Sequence, residues 1–481
     1  MIVGSFEDRR NLAILFVSGL GLMLLDYVLV RQLAASFADL ETSAILMTLG
    51  YFAGVSLGYF RPERVTPERI RIALPFLLVL QLVLVVVGPF LVRALAERAG
   101  ETAAYAVTVA VIALGTTSLY SVFLPALIAS DESRAGRYYA AEVLGSITGI
   151  LLLFGLARAG MPWIQAAYLV AFVAVAALAG ARVPILAAMT AIAVTFPIAS
   201  PWLDRKVAAM TYASWLTEGR PVSILWSRHS PYHKVEVIEA RESGRMLLLD
   251  GQVHFASSWR DAYDYYAAEY PARLLGRPQV AVLGCGSMAT IGRMGEHATS
   301  IRIVDIDEGV FEASRAFFGD VNHLDALHNW TFEADDAKHF LGTTSEVFDL
   351  VVDDIPPART RQVALTYTRE FFRLVRARLG PRGVFSLPTL VPVTSTRRAY
   401  GRRILATLAD VFDHVYVLTT GGTSYLFAAG LSLSLDEDTL RRAIDRPERD
   451  AVHILLPDAA RDLVRGLAPI TQDNTADLID E

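Results

Sequence analysis

Val280-Ala-Val-Leu-Gly-Cys-Gly-Ser-Met-Ala289 decides how the second half of this chain folds. Four apolar residues closed by glycine are too short for a helix and read as a buried strand. Gly284-Cys285-Gly286 then makes a turn whose backbone can come close to a ligand, and a helix starts at Ala289. Its positive end favours negative or polar groups. The pattern recurs downstream. Ile301-Arg-Ile-Val304 is a strand ending in Asp305, followed by a helix over 307–318. Thr331-Phe-Glu333 runs into Asp335 and Asp336, and the apolar run 348–352 ends in Asp353-Asp354. A helix over 367–379 leads to Gly383-Val-Phe-Ser386. Strands and helices alternating at this spacing make a doubly wound, mostly parallel α/β sheet.

Ligands of such sheets bind beyond the carboxyl ends of the strands, where all of these polar residues fall. Asp305 lies 21 residues after Gly284. That is near the spacing of about 20 at which a carboxylate meets ribose hydroxyls, so a nucleoside-bearing ligand is expected. Ser287, Met288 and Ala289 follow the turn where a dinucleotide fingerprint would carry its third glycine, and a Walker loop is absent. Asp353-Asp354 enters a loop that Pro356-Pro357 prevents from continuing as helix or strand. Two carboxylates held there can accept a proton or hold a cation. No histidine lies nearby in sequence to complete a ligand set, so no metal is expected.

Upstream the solvent changes. About 20 apolar residues are needed to cross a bilayer as a helix. Seven stretches qualify, at 11–34, 41–60, 71–95, 102–129, 137–159, 161–181 and 183–200, the last crowded by prolines. The expected organisation is a transmembrane domain of about seven helices over 1–201, a small antiparallel β domain over 202–256, and a Rossmann-like nucleoside-binding domain over 257–481. Asp26, Arg31 and Glu142 fall in or near the spans, where charges pair or face a polar cavity. Arginines near the helix ends weakly favour a cytoplasmic N-terminus, and seven spans would then put the C-terminal domain outside. Nucleoside cofactors are cytosolic, so that domain is placed in the cytoplasm, on a protein of the bacterial inner membrane.

Composition agrees with this division. Hydrophobic residues make up 53% of the 481 and charged residues 20%. The net charge of -6 offers no basic footprint for nucleic acid. A single cysteine, Cys285, excludes an intramolecular disulfide framework. Period-two alternation over 222–226, 234–239 and 245–249, with Glu242-Ser-Gly244 as a turn, reads as the β domain.

In this order the motifs resemble the spermidine synthase family of aminopropyltransferases. The resemblance covers about 225–430: Tyr232-His233 before a strand, Leu249-Asp250-Gly251, Asp261-x-x-x-Tyr265, Gly284-Cys-Gly286, Val304-Asp305-Ile-Asp307, Asp336, and Asp349-Leu-Val-Val-Asp-Asp354. The helical fusion looks like a bacterial branch of that family. The resemblance implies a class I methyltransferase-like fold that transfers an aminopropyl group from decarboxylated S-adenosylmethionine to an amine, releasing methylthioadenosine. It implies that Asp354 is the catalytic aspartate, with Asp353 beside it. Asp305 holds the ribose diol, Asp336 lies near the adenine amine, and His233 stands where the family has a glutamine near the nucleoside. Gly284, Gly286 and Ser287 form the donor loop, while Tyr232, Asp261, Tyr265 and Tyr425 line the acceptor side. A homodimer is implied by analogy.

Departures from the family pattern are specific. Ser287 replaces an aspartate that contacts the donor's ammonium, Pro357 replaces the second acid of the Asp-x-x-Asp loop, Ala267 replaces a glutamate, and a tyrosine is lost near Thr420. The donor is therefore read as decarboxylated or intact S-adenosylmethionine, and the acceptor as a polyamine or a lipid-borne amine. Methyl transfer from S-adenosylmethionine on the same sheet, or a nucleoside-gated membrane transporter or sensor, are the other readings.

Overall fold

The computed structural model describes residues 6–37, 40–60, 67–259, 262–358, 360–395, 400–430, 432–475 and 478. The chain forms two compact units, Met1–Arg241 with Leu248–Val253, and Glu242–Leu247 with His254–Glu481. The expected borders lie at 201 and 256; in this division the last long helix continues to Trp215 and the first two β-strands group with the helices.

The first unit contains α1 (Phe6–Phe37), α2 (Leu40–Phe60), α3 (Pro67–Ala99), α4 (Glu101–Ile112), α5 (Ser118–Ser130), α6 (Ala135–Leu156), α7 (Met161–Leu178) and α8 (Val183–Trp215). Central helix α1 packs chiefly on α6 and α7. Gly145 permits its approach to α6, since a Cβ there would collide with the Phe16 carbonyl oxygen. Among the described residues six helices have the length and apolarity to cross a bilayer, by length and composition alone. The stretch 102–129 is helical from Glu101 to Ser130, with a π-turn at Ala113–Thr117 between α4 and α5. The wider turn releases the Gly115 carbonyl from its α-helical partner, and Gln81 Nε2 on α3 donates to it at 3.2 Å. Conversely α8 runs through Pro197 and Pro201 for 33 residues. Arg31 does not go to a membrane carboxylate; its guanidinium donates to the Tyr232 carbonyl at 2.7 Å and the Ser230 carbonyl at 3.1 Å.

A four-stranded sheet follows in sequential order: β1 (Val222–His229), β2 (Lys234–Ala240), β3 (Gly244–Leu249) and β4 (Gln252–Ala256). Strand β2 departs from the expected alternation, for Lys234 and Glu236 are buried like Val235 and Val237.

The second unit is built on β5 (Gln279–Leu283), β6 (Ser300–Asp305), β7 (Trp330–Ala334), β8 (Phe348–Asp353), β9 (Leu379–Thr389), β10 (His414–Thr420), β11 (Thr423–Ala429) and β12 (His453–Leu455). Their order is β12-β10-β11-β9-β8-β5-β6-β7. The pairs from β7 through β9 are parallel, while β11, β10 and β12 add antiparallel strands. The chain reverses direction of travel at β5, which carries β6 on one side and β8 on the other. Central strands are apolar on both faces: Val280, Ala281, Val282 and Leu283 are fully buried, as are Leu350, Val351 and Val352. Helices α9 (Ala262–Asp264), α10 (Tyr270–Leu275), α11 (Ala289–Met294), α12 (Glu308–Phe318) and α13 (Ala337–Thr343) lie among them in sequence.

Candidate active site

The carboxyl ends of β5, β6 and β8 bring the glycine turn, Asp305 and Asp353-Asp354 together. Gly284 has φ +91°, and its amide donates to the Val304 carbonyl at 2.8 Å while the Asp354 amide donates to the Leu283 carbonyl at the same distance. A Cβ on Gly284 would lie 2.6 Å from the Asp354 carbonyl oxygen. The turn therefore needs glycine for both its dihedral and its closeness to the next strand. Gly284→Ala is expected to lower stability by about 1–3 kcal/mol and to spread the two strand ends. Calorimetric unfolding and donor titration would check it, and an unaltered Tm with unaltered affinity would refute this tight packing.

The turn is clamped from behind. Ser314 on α12 donates to the Gly286 carbonyl at 2.6 Å, and Asn322 Nδ2 to that of Ser287 at 2.7 Å. Asp305 accepts from the amides of Cys285 and Asp307, both at 2.8 Å. Burial still holds its carboxyl above the usual range. The same desolvation, reinforced by Asp305, pushes the fully buried Cys285 thiol far up, so it is a packed residue and not a thiolate.

Asp353 is buried, and its Oδ1 accepts from the Ile355 amide at 3.2 Å. Desolvation raises its pKa to about 7. Asp354 is partly exposed, and its Oδ2 accepts from the Thr290 hydroxyl at 3.0 Å. Burial, and then the charge of Asp264, raise it well above an ordinary aspartate. Asp264 is itself raised to about 6 by desolvation. Among the described residues no lysine or arginine hydrogen-bonds or pairs with Asp305, Asp353 or Asp354. The Pro356 carbonyl is held by the buried Tyr367 hydroxyl at 3.1 Å, fixing the loop that follows the acids.

The aromatic wall comes from Tyr263, whose ring lies 6.2 Å from that of Tyr425, and Tyr266, 5.2 Å from Tyr425. Tyr425 is buried, and burial raises its hydroxyl above the ordinary tyrosine range. Tyr265 is directed elsewhere: its hydroxyl accepts from the Asp445 amide at 2.7 Å, and Arg446 sits over its ring. Asp336 caps α13, accepting from the Lys338 and His339 amides at 2.9 and 3.0 Å, and is exposed. Tyr232 and His233 belong to the first unit, where the Ser230 hydroxyl accepts from both amides. Asp261 lies outside the described residues. Among the described residues no group of three His, Cys, Asp or Glu is arranged to hold a metal.

Sequence reasoning missed Tyr263, Asp264 and Thr290. The first two lie within the quoted run Asp261-x-x-x-Tyr265, of which only the two ends were read. Here the chain opens into a π-turn at Tyr265–Glu269 directly after Asp264.

Comparison with known proteins adds the following. Residues 262–427 match the spermine/spermidine synthase domain and residues 222–256 the spermidine synthase tetramerisation domain. A polyamine aminopropyltransferase of Aeropyrum pernix is 30% identical over 223 residues, covering 42% of this chain and 68% of its own length. One from a Synechococcus species is 28% identical over 263 residues, covering 51% and 80%. The spermidine synthase of Thermotoga maritima aligns over 53% of this chain and 82% of its own, at 17% identity and a TM-score of 0.39.

Proposed function

We propose, on the premise that this chain belongs to the polyamine aminopropyltransferase family and is a transferase, that its second unit moves an aminopropyl group from decarboxylated S-adenosylmethionine to an amine. The amine lone pair attacks the propyl carbon next to sulfur, the carbon–sulfur bond breaks, and methylthioadenosine leaves with the electron pair. The new nitrogen centre loses its proton to Asp354.

One observation carries this reading: Asp305, Asp353 and Asp354 come together at the ends of two strands beside the glycine turn that ends a third, and among the described residues no lysine or arginine hydrogen-bonds or pairs with them. Burying unpaired negative charge is costly, and a site that does so complements cations. A sulfonium with a primary ammonium fits. An intact methionine carboxylate would add a further anion, so the decarboxylated donor is favoured over the intact one and aminopropyl over methyl transfer. Holding donor and amine together supplies much of the remaining rate.

The first unit is read as the membrane anchor.

Full-length protein in detergent, given donor labelled in its aminopropyl group, should release methylthioadenosine and pass the label to the amine. S-adenosylhomocysteine formed from intact donor instead would overturn the reading. Asp305→Ala should weaken donor binding roughly ten- to hundredfold by removing a charge-assisted hydrogen bond to a ribose hydroxyl. Unchanged affinity by calorimetry would remove Asp305 from the donor site.

A further inference from the structure

Strand β2 is buried on both faces. Val235 and Val237 are fully buried on one, while Lys234, Glu236 and Ile238 on the other have exposures of 3%, 0% and 0%. A face that carries an ammonium and a carboxylate out of water needs a cover that answers both charges. Helix α8 supplies it. Asp204, Ala208 and Tyr212 recur every four residues and so share one side of that helix. Ala208 and Tyr212 are buried, and α8 packs on β1. Lys234 Nζ lies 2.9 Å from Asp204, and the Tyr212 hydroxyl donates to Glu236. Ser227, opposite Glu236 in the register of β1 and β2, donates to the same carboxylate at 3.1 Å.

Helix α1 makes a second contact with these strands. Arg31 donates to the Ser230 and Tyr232 carbonyls, in the turn between β1 and β2. A Cβ on Gly251 would lie 2.4 Å from the Ala35 carbonyl oxygen, so the turn at Asp250-Gly251 rests directly on α1. The length of α8 agrees with a docking role. Its 33 residues extend for about 50 Å, against about 30 Å of hydrocarbon. Charged residues begin at Asp204-Arg205-Lys206, after the apolar run 183–203. The turns in excess of a bilayer are therefore the ones that meet the strands.

The family model that residues 222–256 match is named for tetramerisation. A second copy of this chain would have to displace α8 from the polar face of β1 and β2, leaving Lys234, Glu236 and Asp204 to find new partners together. We infer that this face is the docking platform for the chain's own α8, which stands in the place of a second copy, so that no other copy binds there. The inference concerns the first unit alone and does not depend on the transfer reading.

The test follows lysine acylation by acetic anhydride in full-length protein in detergent, read by mass spectrometry. Lys206, exposed on α8, serves as the internal standard for Lys234. Lys234 should react at least about a hundredfold more slowly than Lys206, with the ratio unchanged on hundredfold dilution. Ala208→Arg places a long cation on the side of α8 that faces the strands, and should raise Lys234 reactivity tenfold or more, while Ala208→Ser leaves it unchanged. Where Ala208→Arg does not accumulate, Asp204→Asn probes the same contact and should also speed Lys234 acylation. Equal reactivity of Lys206 and Lys234 in wild type means an open face and overturns the inference. Protection that fades on dilution means that a second copy provides the cover, and overturns it too. So does a Lys234 that stays as protected as in wild type when α8 is altered, because the cover is then not α8.

Discussion

Asp354→Asn is expected to cut kcat by about 10³-fold while donor affinity stays within a few-fold, because general-base assistance of this kind is worth about 10²–10⁴. Asparagine keeps the shape and the Thr290 contact but cannot take a proton from the attacking nitrogen. Leaving the sulfonium needs no acid, so the carboxylate's contribution falls on the amine. Rapid-quench measurement of methylthioadenosine checks the prediction; a variant at wild-type rate would exclude Asp354 as the proton acceptor. The pH profile adds a second check. Burial raises Asp264 to about 6, Asp353 to about 7, and Asp354 in the same direction. A base must be ionised to act, so kcat/KM should climb with pH and its acidic limb should lie well above the usual aspartate range, and Asp354→Asn should flatten that limb. Stability moves the other way. These carboxyls bind protons more tightly folded than unfolded, so between about pH 4 and 7 the native state holds the greater number of protons and loses stability as pH rises. A cationic substrate neutralising the crevice should recover that loss.

Much of this centre was legible in the sequence because its parts sit at strand ends. An apolar run closed by glycine, and another closed by two aspartates, each declare where a strand stops. The parallel core around β5, β6 and β8 follows from them, whereas the antiparallel strands β10, β11 and β12 were not separated, although Gly421-Gly422 between β10 and β11 is itself a hairpin-turn signal. Tyr263 went unread inside the quoted Asp261-x-x-x-Tyr265, because nothing in that run shows that its ring comes to lie 6.2 Å from that of Tyr425. Strand β2 failed for another reason. Lys234-Val-Glu-Val237 has the alternation of a sheet with one wet face, and nothing local reveals that helix α8 supplies charges to cover that face.

Those charges make Lys234→Met the most destabilising substitution expected in the first unit, at about 3–5 kcal/mol. The Lys234 ammonium lies 2.9 Å from Asp204 Oδ2 and 3.2 Å from Glu236 Oε1, with side-chain exposures of 4%, 23% and 0%. Its backbone amide donates to Asp250 Oδ1 at 2.7 Å. Glu236 also accepts from Ser227 at 3.1 Å and from the Tyr212 hydroxyl. Burial alone would drive the lysine pKa down, but Asp204 and Glu236 outweigh it and hold the pKa well above its ordinary value. Burial, with the Lys234 charge next, pushes His229 down to about 3, so the histidine is neutral and cannot replace the missing cation. Methionine would fill the space yet leave two carboxylates without their counter-charge, and it is that abandonment, more than the lost attraction, that costs stability. Because the folded-state lysine pKa is raised, its contribution is fully present below the unfolded value of about 10.4 and is lost only as pH climbs through the folded one. The deficit of Lys234→Met should therefore be flat from pH 6 to 9, and Lys234→Arg, which keeps the charge, should lose less. Thermal unfolding in detergent reads both, and a methionine variant within about 1 kcal/mol of wild type would mean the carboxylates find water or a proton instead, making the cluster a solvated one.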